Sequence, residues 1–311
     1  MSPMNNTLVV LGGPTASGKT GTGIRLAQHY ESEIISADSR QIYREPVIGT
    51  AKPRPAQLNT VPHHFIGHIS VKEYYNASLY ETQVLELLNR LFQKHSVVFM
   101  VGGSGLYIDA VCSGIDDLPT IDPGIRESLW NTFREEGIES LQHTLNELDP
   151  ESYNRIDLNN HYRVLKALEV CMQTGRPYSS FLTGKERQRD FRVIRMALHL
   201  DRDLLYDRIN RRVDHMISLG LVEEARSLVH LRSYNAMKTV GYREIFRYLD
   251  GVYDLDEAID RIRRNTRKYA RKQITWFRKN NRYRWFEPGD TESMIRYIET
   301  KRKESGSSPE I

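Results

Sequence analysis

Cysteine is nearly absent: among 311 residues only Cys112 and Cys171 occur. Two thiols make neither a disulfide framework nor a metal-ligand spacing, so each reads as a small buried apolar residue. Long apolar runs are missing too. No stretch approaches the roughly 20 residues of a membrane helix, and the N-terminal MSPMNNTLVVLGG lacks the basic region of a secretion signal. A cytoplasmic protein with no membrane partner is expected. Nor is there a strong charge imbalance, because 44 Lys and Arg face 40 Asp and Glu, a formal net charge of +4. So mild an excess identifies no partner; its distribution has to do that. The length suits one large domain or two smaller ones.

What is present is strand–helix alternation. Thr7 to Leu11 reads as a buried strand, Lys19 to Tyr30 as a helix and Glu33 to Ala37 as a second apolar run. Residues 44–62 hold Pro46, Pro53, Pro55 and Pro62 and read as loop. Ser78 to Leu91 has helical spacing, and Ser96 to Val101 is a third buried strand. Continuous apolar strands between helices predict an α/β fold with a parallel sheet. The pattern changes near Leu118, and polar helical segments follow to about residue 190: Pro123 to Glu136, Ile138 to Leu148, Arg163 to Thr174. Phe191 to Leu200 resumes as strand. Leu204 to Leu231 is an amphipathic helical region broken at Gly220, and a last helix covers Leu255 to Lys279. The expected organisation is a core of 1–118 and 191–300, a helical insertion of 119–190 and a disordered tail over 301–311.

Directly after the first strand stands Gly13-Pro14-Thr15-Ala16-Ser17-Gly18-Lys19-Thr20, which fits G-x-x-x-x-G-K-[ST]. Its glycines permit angles that turn N–H groups toward an anion, and the following helix adds its positive end. Lys19 supplies a mobile charge, and the Thr20 hydroxyl is a candidate ligand for Mg²⁺. The motif specifies a bound diphosphate or triphosphate without specifying the reaction. A kinase would also need an acidic Mg²⁺ ligand at a strand end. The strand at 97–101 runs instead into Gly102-Gly103-Ser104. Asp38, after the second strand, is the remaining carboxylate near this site.

Several segments together resemble the tRNA dimethylallyltransferases, the tRNA isopentenyltransferase family of bacterial type. They are GPTASGKT (13–20), SADSRQIYR (36–44), IGTAKP (48–53), PHH (62–64), VGGSGLY (101–107), KALEV (166–170), RINRRVDHM (208–216), TVGYRE (239–244) and ARKQITWFR (270–278). The resemblance implies a P-loop core with a helical insertion. It implies transfer of a dimethylallyl group from its diphosphate to the exocyclic amine of the adenosine 3′ of a tRNA anticodon, with Mg²⁺ as cofactor. Asp38 would then be the general base, with Ser104 and Arg212 assisting diphosphate departure and residues 13–20 cradling it. Contacts to the tRNA anticodon stem-loop would come from Asp38, Ser39, Arg40, Gln41, Ser104, Arg126, Tyr162, Arg163, Lys166, Lys238, Gly241, Tyr242, Arg243, Arg271 and Gln273. A monomer is expected. Where the family often has Thr, Ser104 keeps the hydroxyl; Val47 replaces a frequent Asp and is assigned no function. Lys166 and Lys238 replace Arg and lose its fork-like geometry.

The chemistry is consistent with these residue types. An exocyclic adenine amine is a poor nucleophile and needs a positioned base. A site that excludes water protects the allylic centre from hydrolysis, and the base must flip into it. The charge is also uneven. Residues 261–286 carry eleven Lys and Arg and no Asp or Glu, interleaved with Tyr269, Trp276, Phe277, Tyr283, Trp285 and Phe286. Basic residues attract phosphates and aromatics stack on unpaired bases, although Trp276 and Phe277 serve equally well as core. His63 and His64 are adjacent, point differently and lack a third ligand, so packing is favoured over metal binding. The competing readings are an isopentenyltransferase acting on free adenine nucleotide, a nucleotide kinase, and an RNA-binding module with a relic loop.

Overall fold

The computed structural model describes residues 6–116, 118–184 and 186–304. They form two compact units. One comprises residues up to Ser113 and from Gln188 onward; the other is Gly114–Arg187.

The first unit begins with β1 (Thr7–Gly12), α1 (Lys19–His29), β2 (Ile34–Ala37), α2 (Pro55–Leu58), β3 (His63–His64), α3 (Ala77–Leu91), β4 (Val97–Gly102) and α4 (Gly105–Ser113). The second unit holds α5 (Pro123–Glu136), α6 (Ile138–Leu148), α7 (Pro150–Arg155) and α8 (His161–Thr174). The chain then adds to the first unit β5 (Arg192–Leu198), α9 (Arg202–Ser218), α10 (Leu221–Ser227), α11 (Tyr242–Leu249), α12 (Leu255–Lys279), β6 (Arg284–Phe286) and α13 (Thr291–Lys303).

All six strands pair in parallel, in the order β3-β2-β4-β1-β5-β6. Every residue of β1 and β4 is buried. Strands covered by helices on both faces have no polar side to show, hence the unbroken TLVVLG and VVFMVG. Val9, Leu11, Phe99, Val101, Ile194, Met196 and Leu198 build one core with Leu26 and Ala27 of α1 and Met294 and Ile298 of α13. Chain order reverses about β1: β2 lies on the β4 side and β5 on the other. In such sheets the crevice beyond the strands' carboxyl ends, at the reversal, is where ligands bind.

Long α12 carries a narrow apolar stripe through Ala258, Ile262, Ala270 and Phe277, with buried Gln273 between them. Asp254 caps it by accepting from the Glu257 N–H at 2.8 Å. Asp256 and Glu257 in the first turn and Arg278 and Lys279 in the last complement its dipole. The second unit packs Leu129 and Leu145 against Val164, Leu165 and Leu168.

Three expectations differ from the structure. The tail was expected to lose structure from Lys301, but α13 continues to Lys303. Its final carbonyls, those of Lys301 and Arg302, accept from the Arg192 guanidinium at 2.8 and 2.7 Å, and its basic last turn suits the dipole. Residues 305–311 lie outside the described residues. Residues 44–62 are mostly loop, yet Pro55 opens the short α2, since proline suits a first helical position. The second unit spans 114–187, against the expected 119–190.

Candidate active site

A cavity of about 720 Å³ opens in the first unit at the carboxyl ends of β1, β2 and β4. One wall is the phosphate loop. Gly13 and Gly18 take φ values of 138° and 94°, and Ala16 takes 64°, a left-handed angle that costs a non-glycine residue of order 1 kcal/mol or more. Such alternation curls the chain so that its amides face inward. Two amides are engaged: Ser17 N–H donates to the Pro14 carbonyl at 3.3 Å, and Thr15 N–H to Gln273 Oε1 at 2.8 Å. Within the expected cradle of residues 13–20, these two donors already have partners. Ser17 Oγ is buried with no partner among the described residues.

Half-buried Lys19 donates through Nζ to the Pro14 carbonyl at 2.6 Å. Desolvation and then the Arg212 guanidinium push its pKa down to about 7, opposed by the Asp38 carboxylate. Arg212, from α9, is likewise lowered by desolvation and supported by Asp38. Two cations and one carboxylate thus share a field at the pocket floor. Two like charges held together in a partly desolvated site suit an anionic ligand.

The other wall follows β2. Asp38 Oδ1 accepts from the N–H groups of Arg40 and Gln41 at 2.9 and 3.3 Å, which orients the carboxylate. Ser104 Oγ accepts from Ser39 N–H at 2.9 Å and donates to Ser39 Oγ at 3.2 Å, while Ser104 N–H donates to the Ala37 carbonyl at 3.1 Å. Ser104 therefore braces the segment that carries Asp38. Arg40 reaches the carbonyls of Asn235 and Ala236 at 3.1 and 3.4 Å.

Of the residues singled out from the sequence, Thr15, Ala16, Gly18, Lys19, Thr20, Asp38, Ser39, Arg40, Gln41, Arg212, Lys238, Arg243 and Gln273 line this cavity. Gln273 also bonds within the fold, and the remaining expected tRNA contacts have other surroundings. Gln273 is 6% exposed and its amide joins two loops, accepting from Thr15 and donating to the Gly103 carbonyl at 2.9 Å. A Cβ at Gly103 would sit 2.2 Å from Gln273 Nε2, so a larger residue there would displace the amide that joins the two loops. Tyr242 is fully buried and its hydroxyl bonds Glu224. Gly241, at φ 101°, donates to Glu244 Oε2 at 2.9 Å and caps α11. Arg271 is exposed on α12. In the second unit, Arg126 pairs with Glu169 at 2.7 Å, Lys166 lies 3.9 Å from the same carboxylate, and Tyr162 and Arg163 are exposed at the start of α8.

The sequence reading gave Arg208 and Thr239 no individual role and named Tyr269 only among the aromatics able to stack on unpaired bases; all three line the cavity. Tyr269 stands one helical turn before Gln273, a spacing that could have revealed it. Its phenol is pushed up to about 12 by desolvation and then by Asp38, although the ring keeps 41% of its surface exposed. His64 Nε2 contacts Glu33 Oε2 at 2.6 Å and His63 Nδ1 the Val61 carbonyl at 2.7 Å, both within the edge of the sheet. No group of three His, Cys, Asp or Glu side chains able to hold a metal occurs among the described residues. The Thr20 hydroxyl, at the head of α1, and a single carboxylate, Asp38, do line the cavity. That sparse set fits Mg²⁺, which keeps several waters and binds mainly through substrate phosphates.

Comparison with known proteins agrees with this geometry. A family model described as IPP transferase matches residues 41–280. The tRNA dimethylallyltransferase 1 of Bacteroides fragilis is 49% identical over 297 residues, covering 96% of this chain and 99% of that one. The tRNA dimethylallyltransferase of Cytophaga hutchinsonii is 46% identical over 304 residues, covering 98% and 100%. The crystal structure of the tRNA isopentenylpyrophosphate transferase from Bacillus halodurans superposes with a TM-score of 0.70 at 35% identity, covering 96% of this chain and 97% of that one.

Proposed function

We infer the activity from one premise: this chain belongs to the IPP transferase family. It is a tRNA dimethylallyltransferase, moving a dimethylallyl group from dimethylallyl diphosphate to the exocyclic amine of the adenosine 3′ of a tRNA anticodon and releasing diphosphate. The observation that carries the reading is the joint presence, around one cavity, of a phosphate loop with Lys19 and Arg212 and of a braced carboxylate, Asp38. The apolar strand β4 ends in Gly102 and leads to Gly103, without the metal-binding carboxylate a kinase needs.

In the reaction the allylic C–O bond breaks as the C–N bond forms. Lys19, Arg212 and the inward amides stabilise the charge that collects on the departing diphosphate. Mg²⁺ would be held by Thr20 and the diphosphate and would supply further charge neutralisation. Asp38 accepts the proton lost from the amine. Its Oδ1 is held by two backbone N–H groups, so the carboxylate keeps its aim as the adenine enters. Lys238, Arg243 and Arg40 at the cavity supply positive charge for the anticodon-loop phosphates. Arg271, Tyr162 and Arg163, exposed in their respective units, supply additional contacts with the stem-loop.

Transfer of label from dimethylallyl diphosphate to an anticodon stem-loop tests the reading. Label should reach the RNA and not free AMP, ADP or ATP; labelling of the free nucleotide alone would move the enzyme to the nucleotide-prenylating class. Asp38→Asn should lower kcat by roughly 10²- to 10⁴-fold with donor KM little changed. Turnover at the wild-type rate would show that Asp38 is not the base.

A further inference from the structure

Part of the cavity wall has no helix or strand to hold it. Gly49, Thr50 and Ala51 line the site from a turn, and Ala51 takes a left-handed φ of 47°. This turn presents three consecutive N–H groups to one carboxylate. Val47 and Ile48 donate to Glu224 Oε2 at 3.1 and 2.8 Å, and Gly49 donates to Oε1 at 3.0 Å. The Tyr242 hydroxyl donates to the same Oε1 and accepts from Gly49 N–H at 3.2 Å. Glu224 comes from α10 and Tyr242 from α11, so two helices grip the turn through a single anion.

The opposite edge of the turn is tied to the base. Gln41 Nε2 donates to the carbonyls of Thr50 and Ala51 at 3.2 and 3.1 Å. The Gln41 N–H is one of the two groups that orient Asp38 Oδ1, at 3.3 Å. A continuous series of hydrogen bonds therefore leads from Glu224, through the turn and Gln41, to the Asp38 carboxylate.

We propose that Glu224 is a positioning residue for prenyl transfer, holding the 47–51 turn and through Gln41 the aim of Asp38. This rests on the dimethylallyl-transfer reading above. Only a carboxylate meets the demand. It offers acceptors on both oxygens and no donor, and it faces four donors. Glutamine would turn one acceptor into an NH₂ group pointed at N–H or O–H groups, leaving a half-buried amide or the buried Tyr242 hydroxyl without its acceptor. Burial, followed by the Glu224 charge, holds the Tyr242 phenol far above its ordinary range, so it remains a donor at every working pH.

The test uses the full chain as wild type, Glu224→Gln, Tyr242→Phe and, as control, Glu223→Gln, whose side chain is exposed one residue away. Hydrogen–deuterium exchange of the 47–49 amides is measured beside kcat and the KM of each substrate. Glu224→Gln should speed that exchange at least about tenfold and lower kcat roughly ten- to a hundredfold, the scale expected when a catalytic group loses its aim. The donor KM should stay within about twofold, since the phosphate loop is untouched. Tyr242→Phe should fall between, and Glu223→Gln should match wild type. Unchanged exchange, or faster exchange with wild-type kcat, overturns the proposal; so does a loss of activity that only follows the unfolded fraction in a thermal melt. A wild type that transfers no prenyl group would sink the activity reading, while the exchange data would still decide whether Glu224 holds the turn.

Discussion

The two walls of the cavity are built in opposite ways. The phosphate wall is the eight consecutive residues 13–20, running from the end of β1 into the first turn of α1, and its shape comes from local backbone angles at Gly13, Ala16 and Gly18. The facing wall gathers Asp38, Gly49 to Ala51, Arg212, Lys238 and Tyr269 from distant parts of the chain, held by bonds such as Glu224 to the 47–49 amides. A contiguous wall tolerates changes elsewhere in the fold. An assembled wall depends on side chains that never touch substrate.

After Asp38→Asn, Lys19→Ala should give the largest effect, a loss of roughly 10²- to 10³-fold in kcat, as expected for removing a charge aimed at a developing anion. The same residue gives a pH signature. With its pKa near 7 in the free enzyme, Lys19 must be protonated to bind diphosphate. Affinity should be full below about 7 and should weaken about tenfold per unit as pH rises above it. Lys19→Arg, permanently charged, should flatten that dependence of donor KM. A wild-type donor KM independent of pH between 6.5 and 8.5, a window set around that value, would show that Lys19 is already charged throughout.

Gln273→Leu tests where the walls join. It leaves the Thr15 N–H and the Gly103 carbonyl without partners, each costing about 1–3 kcal/mol if no water replaces the amide. A lower melting temperature together with loss of both donor and tRNA turnover is expected. Loss of tRNA affinity alone would instead restore Gln273 as an RNA contact. The smallest effect belongs to exposed Arg271. Arg271→Ala should raise the KM for the stem-loop a few-fold and reduce the slope of log affinity against log salt by about one, with kcat unchanged.

The strands were readable because unbroken apolar runs such as TLVVLG have few other places to go. Strand β6 and helix α13 were not. Three residues, RWF, make too short a pattern, and α13 buries mainly Met294 and Ile298 among charged neighbours. Tyr242 and Gln273 illustrate the same limit at the site. Their motifs marked them as functional, but a sequence position does not say whether a side chain faces substrate or its own fold.

By itself, then, the sequence determined the phosphate loop, the parallel α/β core and the base candidate Asp38. Each follows from short-range physics: backbone angles permitted by glycine, apolar periodicity, and a carboxylate at a strand end. Tertiary structure alone decided that Thr15 N–H serves Gln273, that desolvation and then Arg212 lower the pKa of Lys19, and that Glu224 holds the turn facing the loop. Those relations join residues as far apart as 258 positions, and only packing of the whole sheet and its helices brings such donors and acceptors within hydrogen-bond reach.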